Sequence, residues 1–206
     1  LIFAVVLFLI PLPSFASTIV PSSIDQDITW TKQGSPYQIN GYAYIYPNTT
    51  VTIQPGVVVE LNQATVDISG NIEALGSATN PITIRGMGNV NRMSLYAKNN
   101  VSFLHTTFEN IQNIAIYNQS TVNCDHCLLE TTSDQSGIDV FNEGNLTLKD
   151  SILIQHGSGA ALSVFGNSGN VPTQATISDS IFSGSTQHTL LVFGNAIMNM
   201  GSSTIK

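Results

Sequence analysis

The chain has 206 residues, of which 42% are hydrophobic and only 9% are charged, and its formal net charge is −7. Six Lys and Arg residues against thirteen Asp and Glu residues leave no basic surface for a phosphate backbone, so nucleic acid is not expected as a partner. The length suits one domain, and Asn, Gln, Ser and Thr must supply most of its polar surface.

The first 16 residues read as a secretory signal peptide. Residues 1–10 are uncharged and apolar, and small residues precede a cleavage site after Ala16. A membrane anchor needs roughly 20 apolar residues, and this run is shorter. We therefore expect an exported protein, secreted or held at the cell surface, with no transmembrane span once residues 1–16 are removed.

Residues 17–38 mix Pro, Ser and Asp with Trp30, the single tryptophan. A stack of β coils leaves an open edge at its first coil, and that edge needs a cover. We predict that this segment is an N-terminal cap anchored by Trp30. The first full coil is then expected to begin at residues 41–46.

Short runs that are typical of strands follow. In residues 50–84, β-branched residues alternate with polar ones, and Pro55-Gly56, Ser69-Gly70 and Asn80-Pro81 separate the runs. Turns this close together leave little room for helices. The pattern predicts short β-strands coiled around one core.

The rest of the chain repeats one unit. Aromatic residues recur at Tyr96, Tyr117, Phe141, Phe165 and Phe193, each preceded by two apolar residues spaced by one. A second inward column contains Phe103, Cys124, Leu148, Ile177 and Ile205, and a third contains Phe108, Leu129, Leu153 and Phe182. Three inward columns predict three short strands per coil, with the coils stacked at the ordinary strand spacing.

These repeats resemble those of the right-handed parallel β-helix proteins that bacteria secrete or display on their surface. The segments PYQINGYAYIYPNTTVTIQPGVVVEL and VDISGNIEALGSATNPITI are similar to the opening coils of that family, and GNLTLKDSILIQHGSG is similar to later coils. The resemblance covers residues 36–206. It implies an all-β fold, a right-handed single-stranded parallel β-helix (a solenoid) over residues 39–206. We also expect the helix to continue after Lys206, because the sequence ends within a repeat.

The aromatic column has two interpretations. Strict alternation turns the rings outward, where a stacked strip is able to bind sugar rings and makes ligand-binding residues of Tyr96, Tyr117, Phe141, Phe165 and Phe193. A bend of the chain instead turns them into a corner of the core, which is the commoner use of aromatic ladders and the one we favour. The asparagines at 118, 142, 167 and 195 are typical of turns with a left-handed backbone.

A column of polar residues accompanies the second inward column. His105, His126, Asp150 and Asp179 each stand two residues after an inward residue. Asp150 and Asp179 then lie one coil apart, which is unfavourable unless a cation lies between them. Ca²⁺ needs six or more oxygen ligands and the sequence names two, so we prefer a polar turn column to a calcium site.

Cys124 and Cys127 have CxxC spacing. A redox dithiol normally lies at a helix N-terminus, and a zinc site needs a second pair of ligands, and neither is expected here. Both cysteines share columns with inward or small residues. We predict that they are core thiols or a short disulfide, since export places them in an oxidising compartment.

A convincing catalytic pair is missing from the sequence. Gln155-His156-Gly157 resembles the histidine-glycine of pectin-cleaving hydrolases with this fold, but the clustered aspartates of those enzymes are absent. The β-helix family includes lyases, hydrolases, epimerases, adhesins and tail spikes, so the fold alone does not select a function. We expect a non-catalytic secreted or cell-surface scaffold or adhesive module that binds polysaccharide or another surface protein along one flank. The alternative is a polysaccharide lyase or glycoside hydrolase with its catalytic coils further downstream.

Overall fold

The computed structural model describes residues 17–96, 98–167, 169, 171–184 and 188–206, and the predicted signal peptide lies outside them. The described residues form 23 short strands and one 3₁₀ turn, Lys32–Gly34. The strands pair in parallel and wind into a β-solenoid, or β-helix, of about seven turns. The predicted all-β solenoid is confirmed.

The strands have the following bounds. The first are β1 (Thr18–Ile19), β2 (Ser23–Ile24), β3 (Ile28–Trp30), β4 (Tyr37–Ile45), β5 (Thr50–Ile53), β6 (Val58–Ile68) and β7 (Asn71–Leu75). The middle coils contain β8 (Ile82–Met87), β9 (Arg92–Leu95), β10 (Asn100–Leu104), β11 (Thr106–Glu109), β12 (Asn113–Ile116), β13 (Thr121–Asp125), β14 (Leu128–Thr131), β15 (Ile138–Phe141) and β16 (Asn145–Lys149). The last coils contain β17 (Ile152–Gln155), β18 (Leu162–Phe165), β19 (Thr173–Ser178), β20 (Ile181–Gly184), β21 (Leu190–Phe193), β22 (Ala196–Gly201) and β23 (Thr204–Ile205).

The coil has three faces. Face 1 contains β8, β11, β14, β17, β20 and β23, face 2 contains β9, β12, β15, β18 and β21, and face 3 contains β3, β5, β7, β10, β13, β16, β19 and β22. The long strands β4 and β6 pass from face 1 to face 2, so these two faces form one 15-stranded sheet. Face 3 is a separate 8-stranded sheet. Each later coil therefore contributes one strand to each face, as the three inward columns predict.

The core is a stack of apolar columns. On face 2, Ile114 pairs with Ile138 and Ile138 pairs with Leu162, and all three are buried. Phe103 packs edge to face on Phe108, with ring centroids 4.9 Å apart, which joins face 3 to face 1 across the core. Because side chains alternate along a strand, in-register pairing places like residues over like through the whole stack.

One residue stands in a different column from the predicted one. Ile205 pairs with Phe182 on face 1, and Met200 pairs with Ile177 on face 3. The predicted position of Ile205 in the second column is therefore wrong. The turn after Phe193 is short, so β22 follows directly and Met200 takes the place predicted for Ile205.

The predicted N-terminal cap is itself an incomplete coil. β1 and β2 pair with β4, and β3 pairs with β5, all in parallel. Trp30 is buried and stacks on Tyr37, with ring centroids 5.0 Å apart, so that it covers one end of the core. The first full coil begins at Tyr37 rather than at residue 41, because Tyr37 and Ile39 alternate with Gln38 and are buried.

The corners of the coil differ in their backbone. Between faces 3 and 1, a residue with positive φ makes the turn in successive coils, at His105, His126, Asp150, Asp179 and Ser202. His, Asn and Asp tolerate this left-handed conformation better than apolar residues, which explains the polar column in the sequence. The turns between faces 2 and 3 contain two left-handed residues in two coils, Asn118-Gln119 and Asn142-Glu143, and the loops between faces 1 and 2 vary in length.

Candidate functional site

The five aromatic residues of the sequence repeat form one continuous stack on face 2. From Tyr96 through Tyr117, Phe141 and Phe165 to Phe193, successive ring centroids lie 5.2, 5.1, 5.0 and 5.5 Å apart, and successive ring planes differ by 5°, 11°, 9° and 8°. Parallel in-register pairing fixes this stack, since Phe141 pairs with Phe165 and Phe165 with Phe193. We call it the aromatic ladder.

The ladder lies outside the hydrophobic core. Phe141 follows Val140, whose side chain is buried inside the coil, so alternation turns the Phe141 ring outward. The first four rings are partly exposed, and Phe193 is 53% exposed. The interpretation that we favoured from the sequence, rings stacked in a corner of the core, is therefore wrong.

Stacking leaves the inner rings with their edges toward solvent. Tyr117, Phe141 and Phe165 each have a parallel ring on either side at 5.0–5.5 Å. A sugar ring that stacks on an aromatic ring contacts its face, where the π-electron density lies. The inner rings therefore do not form a row of flat platforms. They form a rigid apolar wall.

The turn after each of two inner rings has an unusual backbone. The left-handed pairs are Asn118-Gln119, with φ of 51° and 65°, and Asn142-Glu143, with φ of 47° and 66°. The N–H of Ser120 donates to the carbonyl of Tyr117 at 3.0 Å, and the N–H of Gly144 donates to the carbonyl of Phe141 at 2.9 Å. These features define type I′ turns, in which Asn and Gly are common at the central positions and Gln and Glu are not.

A groove lies beside the aromatic ladder, along these turns. Its volume is about 570 Å³, and polar residues from four successive coils line it: Lys98, Asn118, Gln119, Asn142, Glu143 and Asn167. The Gln119 side-chain amide donates to the Glu143 carboxylate of the next coil at 2.5 Å. Amides, a carboxylate and an ammonium group offer hydrogen-bond donors and acceptors at the repeat of the coil. We call this feature the ladder groove.

The sequence marked only part of this groove. Asparagines at 118, 142, 167 and 195, one or two residues after four of the five ladder residues, predicted turns. The left-handed conformation of Gln119 and Glu143 was not predicted, because neither residue type favours it. Lys98, in the equivalent turn, has φ of 57°, and the sequence did not predict that conformation either. Grooves formed by turns of successive coils become visible only when the register of those coils is known.

Asp139 is a second feature that the sequence did not single out. It stands on the outer side of face 2, in register with Ala115 and Ser163, and the Asn113 amide donates to its Oδ2 at 2.9 Å. Burial raises the pKa of the Asp139 carboxyl, and hydrogen bonds with Ser136, Asn113 and Ser163 offset part of that increase. These neighbours are not acids or bases, so the cluster does not have the composition of an acid–base pair.

The predicted polar column occupies the corner between faces 3 and 1. The rings of His105 and His126 lie 4.5 Å apart, and His126 Nδ1 lies 2.6 Å from Asp125 Oδ1. Ligand atoms of Asp125, His126 and Asp150 lie within 4.8 Å of one another, and Asp179 lies outside this group. The structure therefore assembles a different set of residues from the predicted Asp150 and Asp179 pair.

Lys149 supplies positive charge at this corner. Its Nζ lies 3.4 Å from an Asp125 oxygen and 3.5 Å from an Asp150 oxygen. Burial raises the pKa of Asp125, but hydrogen bonds from His126 and Lys149 outweigh that effect and hold the pKa below its ordinary value. An ammonium group thus lies between the carboxylates, and an exposed ion-pair network explains the arrangement better than a calcium site.

Cys124 and Cys127 are free thiols inside the coil, with 4% and 5% of their surface exposed. The Cys127 thiol donates to the carbonyl of Phe103 at 3.5 Å. A hydrogen bond with Cys127, together with burial, raises the pKa of Cys124 well above its ordinary value. A thiol of raised pKa is a poor nucleophile, so we interpret the pair as part of the core. The short disulfide stays a prediction.

Two polar features lie at the corner between faces 1 and 2. A second groove of about 480 Å³ is lined there by residues that include Asn89, Gln112 and Ser133. His156, the residue of the histidine-glycine resemblance, is exposed just after β17. Neither feature shows the clustered carboxylates of the pectin-cleaving enzymes, and the lyase or hydrolase alternative stays a prediction.

The chain is similar over part of its length to a much longer animal protein. It is 30% identical over 129 residues to protein bark beetle of Drosophila melanogaster, and the alignment covers 59% of this chain and 4% of that protein. No family model and no solved structure matches the chain. Similarity over so small a share of a relative assigns neither a family nor an activity.

Within the described ranges, no helix has the length and apolar character that a membrane span requires.

Proposed function

We propose that this chain is a non-catalytic, exported scaffold and adhesive module of the β-helix type, and that it binds polysaccharide along the ladder groove. The observation that carries the proposal is the repetition of polar side chains beside the aromatic ladder. Lys98, the turn residues at 118–119 and 142–143, and Asn167 line one groove over four coils. A repeating surface suits a repeating ligand, because each coil offers the same kind of contact to each unit of the ligand.

The chemistry of the groove suits hydroxyl groups. Asn and Gln amides both donate and accept hydrogen bonds, and a sugar hydroxyl does the same. The Gln119 amide and the Glu143 carboxylate are already hydrogen-bonded to each other, so their orientations are set before a ligand arrives.

Backbone strain in the groove supports a functional interpretation. Gln119 and Glu143 have φ of 65° and 66°, which costs a residue with a Cβ atom roughly 1 kcal/mol relative to glycine. Glycine would fit both positions without that cost. The side chains have an evident use in the groove, where they form its coil-to-coil hydrogen bond.

Export is part of the same proposal. The apolar segment at residues 1–10 and the small residues before position 17 support it, and so does a surface that is polar but poorly charged. The resemblance to secreted and surface β-helix proteins of bacteria supports the same location. We place the module outside the cell, where long polysaccharides and the surfaces that display them are available.

A glycan array and calorimetry test the proposal. The chain without residues 1–16 is probed against polysaccharides of defined backbone, and the best ligand is then titrated into wild type and into the double variant Asn142→Ala, Glu143→Ala. We expect the double variant to lose binding at least tenfold. The matched control is Asn123→Ala, Glu130→Ala, two exposed residues of the same types on β13 and β14, outside the lining of the groove, which should bind like wild type. Equal binding by both double variants, or no glycan bound by wild type, would refute the proposal.

A further inference from the structure

Side chains of the types that bind metal ions meet at the corner between faces 3 and 1. Asp125, His126 and Asp150 each offer one ligand atom, and the three atoms lie within 4.8 Å of one another. His126 and Asp150 are exposed and Asp125 is partly exposed, so an ion reaches them directly from solvent. This corner is separate from the ladder groove, which lies along the turns between faces 2 and 3.

Main-chain hydrogen bonds hold these residues in consecutive coils. The N–H of His105 donates to the Asp125 carbonyl at 3.0 Å, and the N–H of His126 donates to the Lys149 carbonyl at 3.0 Å. Asp125 also pairs in register with Lys149 of the next coil. His105, His126 and Asp150 therefore occupy the same position in three successive coils, and the fold sets their spacing before any ion binds.

His105 brings a second imidazole to the corner. Its ring lies 4.5 Å from the His126 ring, centroid to centroid, in the preceding coil. Two imidazoles and two carboxylates make four ligands, which is the number that a tetrahedral zinc site takes from a protein. Ca²⁺ takes roughly six to eight oxygen ligands, so this mixed set of nitrogen and oxygen donors suits zinc and not calcium.

The ligand atoms have spacings on either side of those in a zinc site. Zinc bonds of about 2.0–2.2 Å place the donor atoms of a tetrahedral site about 3.3–3.6 Å apart. His126 Nδ1 lies 2.6 Å from Asp125 Oδ1, and no two ligand atoms among Asp125, His126 and Asp150 lie more than 4.8 Å apart. The side chains of His126 and Asp125 are 47% and 38% exposed, so they have room for the small rotations that the ion requires.

Lys149 contacts the other oxygen of the Asp125 carboxylate. Its Nζ lies 3.4 Å from Asp125 Oδ2 and 3.5 Å from Asp150 Oδ2, whereas Asp125 Oδ1 faces His126. A zinc ion beside His126 therefore uses Asp125 Oδ1, and Lys149 keeps its contact with Oδ2. Because the ammonium group and the ion are both positive, Lys149 lowers the affinity for zinc without occupying the site.

The neighbouring thiols lie on the other side of the strand. Cys124 and Cys127 flank Asp125 and His126 in the sequence, and both are almost fully buried inside the coil. Side chains alternate along β13, so Asp125 faces outward where Cys124 faces inward. The thiols and the outward ligands therefore do not share one ion.

We propose a zinc site at the corner between faces 3 and 1, with four ligands from three successive coils: His105, Asp125, His126 and Asp150. The imidazoles supply neutral nitrogen ligands, and the carboxylates balance the charge of the ion. The ion links coils that are otherwise joined by main-chain hydrogen bonds and packing, so its binding stabilises the folded chain. The site is independent of the proposed function.

Calorimetric titration with zinc chloride tests the site. We expect wild type to bind one ion per chain, and His126→Asn and Asp125→Asn each to weaken binding at least about tenfold. Asparagine is chosen at position 126 because it tolerates the φ of 55° found there. The matched control, His156→Asn, changes an exposed histidine of another corner and should stay within about twofold. Lys149→Met should strengthen binding at least about threefold, since it removes the nearby ammonium charge.

Thermal denaturation and Co²⁺ spectra complete the test. Zn²⁺ should raise the thermal midpoint of wild type but not that of His126→Asn. Co²⁺ bound in place of zinc should show visible d–d bands without a sulfur-to-cobalt charge-transfer band. Cys127→Ser should bind zinc like wild type, and serine fits this position because Ser151 occupies it one coil later. The site is overturned if wild type binds no zinc, if His126→Asn binds zinc as tightly as wild type, or if a sulfur band appears that Cys127→Ser removes.

Discussion

Tyr117 stacks on Phe141 with the two ring planes 11° apart and the centroids 5.1 Å apart, yet neither ring belongs to the buried core. Each ring gains its contacts from the coil before and the coil after. The ladder is therefore a second stack of side chains that ties the coils together on the outside, in parallel with the apolar columns inside.

The first prediction concerns the contribution of this stacking to stability. Phe141→Ala removes a ring with two stacked neighbours and should lower the free energy of unfolding by roughly 1–2 kcal/mol. Phe193→Ala removes a more exposed ring with one stacked neighbour among the described rings, and should cost roughly half as much. Urea denaturation followed by circular dichroism measures both. Equal losses for the two variants would contradict a contribution from the second stacked neighbour of Phe141.

The fold was largely predictable from the sequence, because its signals are local and repeated. Pairs of apolar residues before Tyr96, Tyr117 and Phe141 recur in the same arrangement, and parallel in-register pairing turns that recurrence into columns. Ile205 was misplaced because one apolar residue after a turn fits two columns equally well. Only the neighbouring strand distinguishes them, and it pairs Ile205 with Phe182.

The candidate site was less predictable. The sequence identified the ladder residues but not whether their rings face solvent or the core. Alternation along the strand favoured rings outside the coil, and the usual burial of aromatic rings favoured rings in the core. The ladder groove depends on left-handed backbone at Gln119 and Glu143. Neither residue type predicts that conformation. Asp139 carries no motif at all, and only its packing shows that its carboxyl is partly buried.

The second prediction uses that burial. Because the pKa of Asp139 is raised in the folded chain, the folded state binds more protons than the unfolded state between the ordinary pKa and the raised one. Stability from this group therefore falls as the pH rises through that window. Asp139→Asn does not ionise and should be roughly 1 kcal/mol more stable than wild type at pH 7, with a smaller difference at pH 4.

Urea midpoints of both proteins at the two pH values measure this effect. Other carboxylates, such as Glu60 with its pKa lowered by the hydrogen bond from Arg85, titrate equally in both proteins and cancel in the comparison. A difference between Asp139→Asn and wild type that does not change with pH would contradict a raised pKa for Asp139.

The third prediction concerns the thiols. Cys124 and Cys127 are almost fully buried, and the pKa of Cys124 is well above its ordinary value, so the reactive thiolate form is rare and shielded. In the native reduced protein, we expect a colorimetric disulfide reagent at pH 8 to react with the thiols at least about 100-fold more slowly than in denaturant. Rapid modification of the folded chain would show that this corner opens. Mass spectrometry after oxidative expression tests the predicted disulfide separately.

The last prediction joins stability to binding at Glu143. Its φ of 66° costs free energy that glycine avoids, so Glu143→Gly should raise the free energy of unfolding by roughly 0.5–1 kcal/mol, even though the hydrogen bond from Gln119 is lost. The same change should weaken glycan binding in the ladder groove. Asn142→Gly is the matched control, because asparagine already tolerates the left-handed backbone and the gain should be smaller. Urea denaturation measures the stability of each variant, and calorimetry on the same samples measures its glycan binding. If Glu143→Gly is less stable than wild type, the glutamate side chain stabilises the turn and the prediction is wrong. If Glu143→Gly is more stable but no longer binds glycan, the strained backbone at Glu143 serves glycan binding.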